Sequence, residues 1–180
     1  MKNYLLSLVV FFTVFAIGQN KLKTKSGALS FEASVPAFEE VKAKNEQVSC
    51  VFKPQTGEIA ALALMKGFRF KVALMEEHFN ENYAESDKFT KATFRGKIEG
   101  FNVAGLTSEP QEFVLLGKLE FHGRTNEIKT TASVRKVTDG VEINTSFSVL
   151  ASDYDIKIPS LVKNKVTNKV NLKCEFIVKK

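Results

Sequence analysis

The 180-residue chain has no tryptophan, two cysteines, two histidines and four prolines, and these shortages narrow what it can do. No histidine or second cysteine lies at ligand spacing from either cysteine, so no metal site is expected. The charge has no massed sign: a net +6, or +5 without Lys2, comes from lysines and arginines scattered among acidic residues. Nucleic-acid binders mass theirs, so no nucleic-acid partner is expected. Only one long apolar run exists, Leu5 to Ile17, and thirteen residues fall short of the roughly 20 that span a bilayer. Repeats, low-complexity tracts and linkers are absent, and no nucleophile elbow or ordered triad of Ser, His and acid is visible. An enzyme is therefore not expected.

Residues 1–18 carry the marks of a secretory signal: Lys2 in front, an apolar stretch broken only by Ser7 and Thr13, and Ala16-Ile-Gly18 as a small-x-small cleavage site. The expected mature chain begins at Gln19, and residues 19–180 are expected to form one domain. No cysteine follows the cleavage site, so a lipid anchor on a new N-terminal cysteine is not expected. An oxidising compartment would permit Cys50 and Cys174 to pair. Pairing is not compelled, since both lie on the apolar parity of strand patterns and fit buried free thiols acting as small hydrophobes.

Alternation of apolar and polar residues dominates the rest of the chain. It runs through Leu29, Phe31, Ala33 and Val35; Val48, Cys50 and Phe52; and Phe68, Phe70, Val72 and Leu74. It resumes in Phe94 and Ile98, then Phe113 to Phe121, Ile128 to Val134, Val141 to Val149, and Leu172 to Val178. Eight or nine strands result. Pro54-Gln-Thr-Gly57, His122-Gly123 and Asp139-Gly140 supply the turns between them, and Asp139-Gly140 is the strongest hairpin signal. Many strands at short spacing without amphipathic helices predict an all-β antiparallel sandwich or barrel.

Two segments interrupt the pattern. Met75 to Lys88 is rich in Glu and Asn and reads as a short helix and loop over one barrel end, and Ser160 to Lys165 follows Pro159. Either can be a lid or a plain connection. Thirteen of the sixteen phenylalanines lie beyond residue 18, and on the inward parity they neighbour small residues, as Phe94 does Gly96. An eight-stranded barrel can be filled by such side chains or can hold one ligand. Pattern alone favours the filled core. Asp153 and Asp155 flank Tyr154 and read as turn-capping groups; His78 and His122 read as surface or hydrogen-bonding histidines.

Four segments taken in order carry a family resemblance: Phe31-Glu-Ala-Ser-Val-Pro-Ala-Phe38, Phe79-Asn-Glu-Asn-Tyr83 with Glu85-Ser-Asp-Lys88, Leu119-Glu-Phe-His-Gly123, and Asp153-Tyr-Asp-Ile-Lys-Ile-Pro159. From about Gly27 to Val178 the chain resembles the YceI-like family of lipocalin-like, polyisoprenoid-binding proteins. It departs at Thr90, where the family commonly has proline. The resemblance implies an extended, eight-stranded antiparallel barrel whose elongated lumen holds a long polyisoprenoid tail. It also implies an exported carrier, periplasmic or secreted, with that lipid as ligand and no other cofactor. Phe52, Phe68, Phe70, Phe94 and Phe147 are the residues expected to line the lumen.

The rival reading is an envelope protein-interaction module with a side-chain-filled barrel and no lipid cargo; a hydrolase or isomerase using the cavity is a third. The lysines from Lys163 to Lys180, opposed only by Glu175, read mainly as a solvated strand face. Their functional alternative is transient contact with an anionic membrane surface.

Overall fold

The computed structural model describes residues 21–35, 38 and 40–180; the expected signal segment, residues 1–18, lies outside them. Nine strands run in chain order: β1 (Leu22–Ser34), β2 (Lys42–Lys53), β3 (Glu58–Leu64), β4 (Arg69–Phe70), β5 (Lys91–Ile98), β6 (Gln111–Phe121), β7 (Arg124–Val137), β8 (Gly140–Leu150) and β9 (Val166–Lys179). One short helix, α1 (Ala73–His78), continues into a π-helical turn at Phe79–Tyr83. The sheet order β1-β9-β8-β7-β6-β5-β3-β2 closes through β1–β2 pairing, and β4 adds a two-residue step beside β2. Every pairing is antiparallel. The result is a closed eight-stranded barrel, which leaves no long unpaired sheet edge.

The period-two pattern places its apolar parity inward. Val48, Cys50 and Phe52 from β2, Val134 from β7, Ile143 from β8 and Phe176 and Val178 from β9 are all buried. These residues fill one end of the lumen. There Phe101 bridges Phe52 and Phe113 with ring centroids at 5.1 and 5.6 Å, both edge-on, and Ile98 and Leu115 complete the packing. Two buried polar side chains on the strands are bonded: Asn45 Nδ2 donates to the Leu64 carbonyl at 3.0 Å, and Thr145 Oγ1 donates to the Thr131 carbonyl at 2.8 Å.

Three readings of the pattern need correction. Phe68 to Leu74 is not one strand: only Arg69–Phe70 pairs with β2, and the chain turns into α1 at Ala73. Ala-Leu-Met-Glu-Glu are strong helix formers, and the Glu76 carboxylate reaches back to accept from Phe70 N at 3.1 Å and Arg69 Nη1 at 2.9 Å. Second, the pattern omits β3, because Ile-Ala-Ala-Leu-Ala hides its alternation behind small residues and has little of the β-branched signal. Third, the β7–β8 hairpin exists, but Val137 pairs with Gly140, which leaves Thr138 and Asp139 as the turn. Gly140 is needed for another reason: a Cβ there would stand 2.0 Å from the Val178 carbonyl oxygen.

Candidate ligand-binding site

At the other end the barrel is not filled. The C-terminal halves of β1, β6 and β8 and the N-terminal ends of β5 and β9 surround a cavity of about 380 Å³. Leu29, Phe31 and Ala33 contribute from β1, Leu119 and Phe121 from β6, Val149 from β8, and Val170 and Leu172 from β9. All project from alternate positions, as the pleat requires. Polar groups on the wall are few; His78, Tyr83, Lys165 and Thr167 are among them. With the opposite end packed, the lumen is a blind pocket with one mouth.

The two interruptions in the strand pattern both reach this mouth. The first supplies Met75, His78, Phe79 and Tyr83, and the second Val162 and Lys165. Phe79 is the apolar anchor of the first. Its ring lies 5.3 Å from Phe31, 5.7 Å from Phe68 and 5.2 Å from Phe70, while Phe31 stands edge-on to Phe68 and Phe70 at 5.3 and 5.8 Å. Aromatic pairs in such geometry contribute about 0.5–1.5 kcal/mol beyond the area they bury. Asn80 holds the turn together, donating to the Glu76 carbonyl at 2.8 Å and accepting from the Ser86 hydroxyl at 2.6 Å.

A polar anchor closes the far end of the same segment. His122 follows β6 with φ 49°, and Gly123 has φ 73°, the left-handed pair that a two-residue hairpin demands. That turn pushes the imidazole under the segment, where Nε2 meets Glu85 Oε2 at 2.7 Å and Nδ1 meets the Tyr154 carbonyl at 2.9 Å. Both partners are acceptors, a backbone carbonyl on one ring nitrogen and a carboxylate on the other. Phe89 packs against the imidazole, with centroids 4.3 Å apart and the rings tilted by 50°. His122 thus joins three elements: the segment over the mouth, the β6–β7 turn and the helical turn Ala151–Tyr154 after β8.

Tyr154 forms the wall opposite the phenylalanine cluster, its ring 5.7 Å from Phe121. Its hydroxyl is buried without a hydrogen-bond partner among the described residues, and the Asn126 Nδ2 donates to the Asp153 carbonyl at 2.9 Å. Burial pushes the phenol's pKa up. The flanking acids do not cap the turn with their carboxylates: Asp155 takes φ 60° at the turn's end, and its side chain accepts from Arg124 at 3.3 Å.

Of the five phenylalanines expected on the lumen wall, Phe68 and Phe70 line the pocket. Phe52 is packed in the filled end. Phe94 lies below the pocket wall because Gly96 and Gly117, paired across β5 and β6, leave a hollow that its ring occupies; a Cβ on either glycine would meet that ring at 2.8 or 2.4 Å. Phe147 shares the inward parity of Val149 but is not among the lining residues. Phe31, Phe79, Phe121 and Tyr154 line the pocket instead. The signal for them was present in the motifs at residues 31–38, 79–83, 119–123 and 153–159, each of which contributes described residues to the pocket wall. No cluster of three metal-binding side chains exists among the described residues.

Fold and pocket define the class: a small closed β-barrel with a single-mouthed apolar cavity. Residues 20–177 match the family model of the YceI-like domain, and the chain belongs to that family. Among solved structures it is similar to a polyisoprenoid-binding domain from Saccharophagus degradans implicated in plant cell wall breakdown, with a TM-score of 0.76 at 15% identity, covering 88% of this chain and 97% of that one. Burkholderia cenocepacia BcnA matches with a TM-score of 0.68 at 13% identity over 83% of this chain and 94% of its own. The Campylobacter jejuni YCEI protein matches at 0.63 and 15% identity over 100% and 99%. No curated protein sequence matches.

Proposed function

We propose that this protein binds the apolar tail of a polyisoprenoid or similar long-chain lipid in the blind pocket and acts by shielding it from water, without catalysis. The observation that carries this reading is the cavity itself: about 380 Å³, nearly all apolar wall, in a barrel whose remaining lumen is packed. That volume falls within the range of small-molecule sites. At interior packing density of about 0.75 it accommodates roughly three to four five-carbon units. Each buried unit is worth about 3–4 kcal/mol at ~0.8 kcal/mol per carbon, so even this length offsets the several kcal/mol of immobilisation. The lid segment from Ala73 to Phe89 covers the mouth and controls access.

The polyisoprenoid binding described for the similar Saccharophagus domain supports this class of cargo. The apolar run behind Lys2 supports export and cleavage after Gly18, to the periplasm or the medium. Among the described residues no helix is long and apolar enough to cross a membrane.

The test is organic extraction of the protein purified without detergent from its native compartment, followed by mass spectrometry. Stoichiometric isoprenoid is the expected result. An empty extract, from protein that also fails to take up added isoprenoid, overturns the reading and favours a protein-interaction role.

A further inference from the structure

We infer that the second segment at the mouth, residues 156–169, docks the protein on an anionic lipid bilayer, so that the pocket opens toward the membrane. The inference rests on the lipid-binding reading above and adds the surface from which cargo is exchanged. The strap from Ile156 to Lys169 has two sides. Ile156, Ile158 and Val162 line the pocket. Leu161, at the tip of the helical turn Ser160–Val162, points the other way and is 88% exposed, more than any other large apolar residue described.

Around that leucine the charge is of one sign. Residues 156–174 contain Lys157, Lys163, Lys165, Lys169 and Lys173 and no acidic residue. Lys157, Lys163, Lys165 and Lys169 are exposed, and none has a carboxylate within ion-pair distance among the described residues, whereas Lys173 pairs with Glu175 at 2.8 Å. An unpaired lysine costs nothing in water and gains only where negative charge is brought to it. A bare leucine between such lysines adds the second requirement of interfacial binding, an apolar side chain that inserts among acyl chains while cations stay with the headgroups. An acidic protein would satisfy the lysines but gives Leu161 no reason to stand alone beside a hole built for a hydrocarbon chain.

The sequence pattern alone had placed this charge on the outer face of β9. The structure moves it to the strap, since the unpaired lysines cluster before and at the start of that strand. The remainder of the mouth is mixed: on the lid side Glu76 is committed to Arg69 and Asp87 to Lys66.

The experiment is co-sedimentation of the purified, lipid-loaded protein with vesicles of phosphatidylcholine alone and of phosphatidylcholine containing about one third phosphatidylglycerol. Three proteins are compared: wild type, Leu161→Ser, and the triple variant Lys157→Gln, Lys163→Gln, Lys169→Gln. None of these residues lines the pocket. Wild type should bind the anionic vesicles and be released by salt. Each lysine lost should weaken partitioning roughly fivefold, and the triple variant about a hundredfold; Leu161→Ser should weaken it without changing the salt dependence. Absence of binding, equal binding to neutral vesicles, or variants that bind like wild type each overturns the inference. Extraction of the same preparations separates the two readings: loaded protein that ignores vesicles removes the docking surface alone, and empty protein that still docks through Leu161 removes the cargo.

Discussion

His122 and Glu85, 37 positions apart, meet at 2.7 Å, and this pair ties the lid to the barrel. The imidazole is nearly buried and the carboxylate 43% exposed, so the contact is worth about 1 kcal/mol, nearer an exposed charged hydrogen bond than a buried one. His122→Ala should therefore act locally. Amide hydrogen exchange should accelerate over residues 79–89, where Phe79 remains as the other anchor, while β6 and β7 keep their protection. Glu85→Gln, which preserves an acceptor, should fall between. Unchanged exchange in the lid would show that the phenylalanine cluster holds it unaided.

Phe70 and Phe52 separate pocket from core. Phe70 is half-buried on the pocket wall, so Phe70→Glu should leave the barrel folded, with its carboxylate reaching the mouth, and should abolish tail binding. Phe52 is wholly buried against Phe101 at the filled end. Phe52→Ala should cost about 3–5 kcal/mol of stability and leave binding intact in the folded fraction. Urea unfolding and uptake of a fluorescent isoprenoid analogue measure the two effects, and exchanged phenotypes would place the cavity at the wrong end.

Acid should weaken one cross-strand contact on the barrel wall. Arg135 grips Glu142 with two bonds of 2.9 and 2.8 Å, and Asn144 adds a third at 2.9 Å. The Arg135 hydrogen bonds hold the Glu142 carboxyl below its ordinary value of 4.5. A carboxylate depressed on folding stabilises above its unfolded pKa, and that contribution is lost as pH falls through the folded value. Wild type should thus exceed Glu142→Gln in urea midpoint at neutral pH, with the gap closing below about pH 4.5. A gap that stays constant into acid would mean the pair contributes no ionic stability.

Cys50 and Cys174 are free thiols whose pKa values are each pushed up to about 12, chiefly by burial. Near pH 8 each therefore stays almost wholly in the thiol form, and the thiolate is the reactive one. Folded protein should react with an aromatic disulfide reagent far more slowly than denatured protein, which should release two equivalents. Rapid release of one equivalent from the folded state would show a thiol that burial does not protect.

The barrel was legible because alternation records which face of a strand is wet, and eight strands share one interior. What alternation does not record is depth. Phe52, Phe94, Phe121 and Phe147 all obey the same inward parity, yet the closed end takes Phe52, the hollow over Gly96 and Gly117 takes Phe94, and Phe121 reaches the pocket. Level along the barrel axis is set by the register between strands, which depends on partners far away in sequence. The four family motifs did carry that information, since they coincide with the residues at the mouth. His122 was readable as a hydrogen-bonding histidine, but its partners were not, because Glu85 and the Tyr154 carbonyl arrive from two different excursions.

A lumen packed at one end gives a guest a direction. An amphiphile that enters a closed tube does so tail first and keeps its head at the opening, so the bound molecule is always presented in the same orientation. A receiving protein or bilayer would meet the head before any of the tail is uncovered, and withdrawal would expose hydrocarbon one segment at a time. In a barrel open at both ends either terminus could lead; here the aromatic stack of Phe52, Phe101 and Phe113 removes that choice.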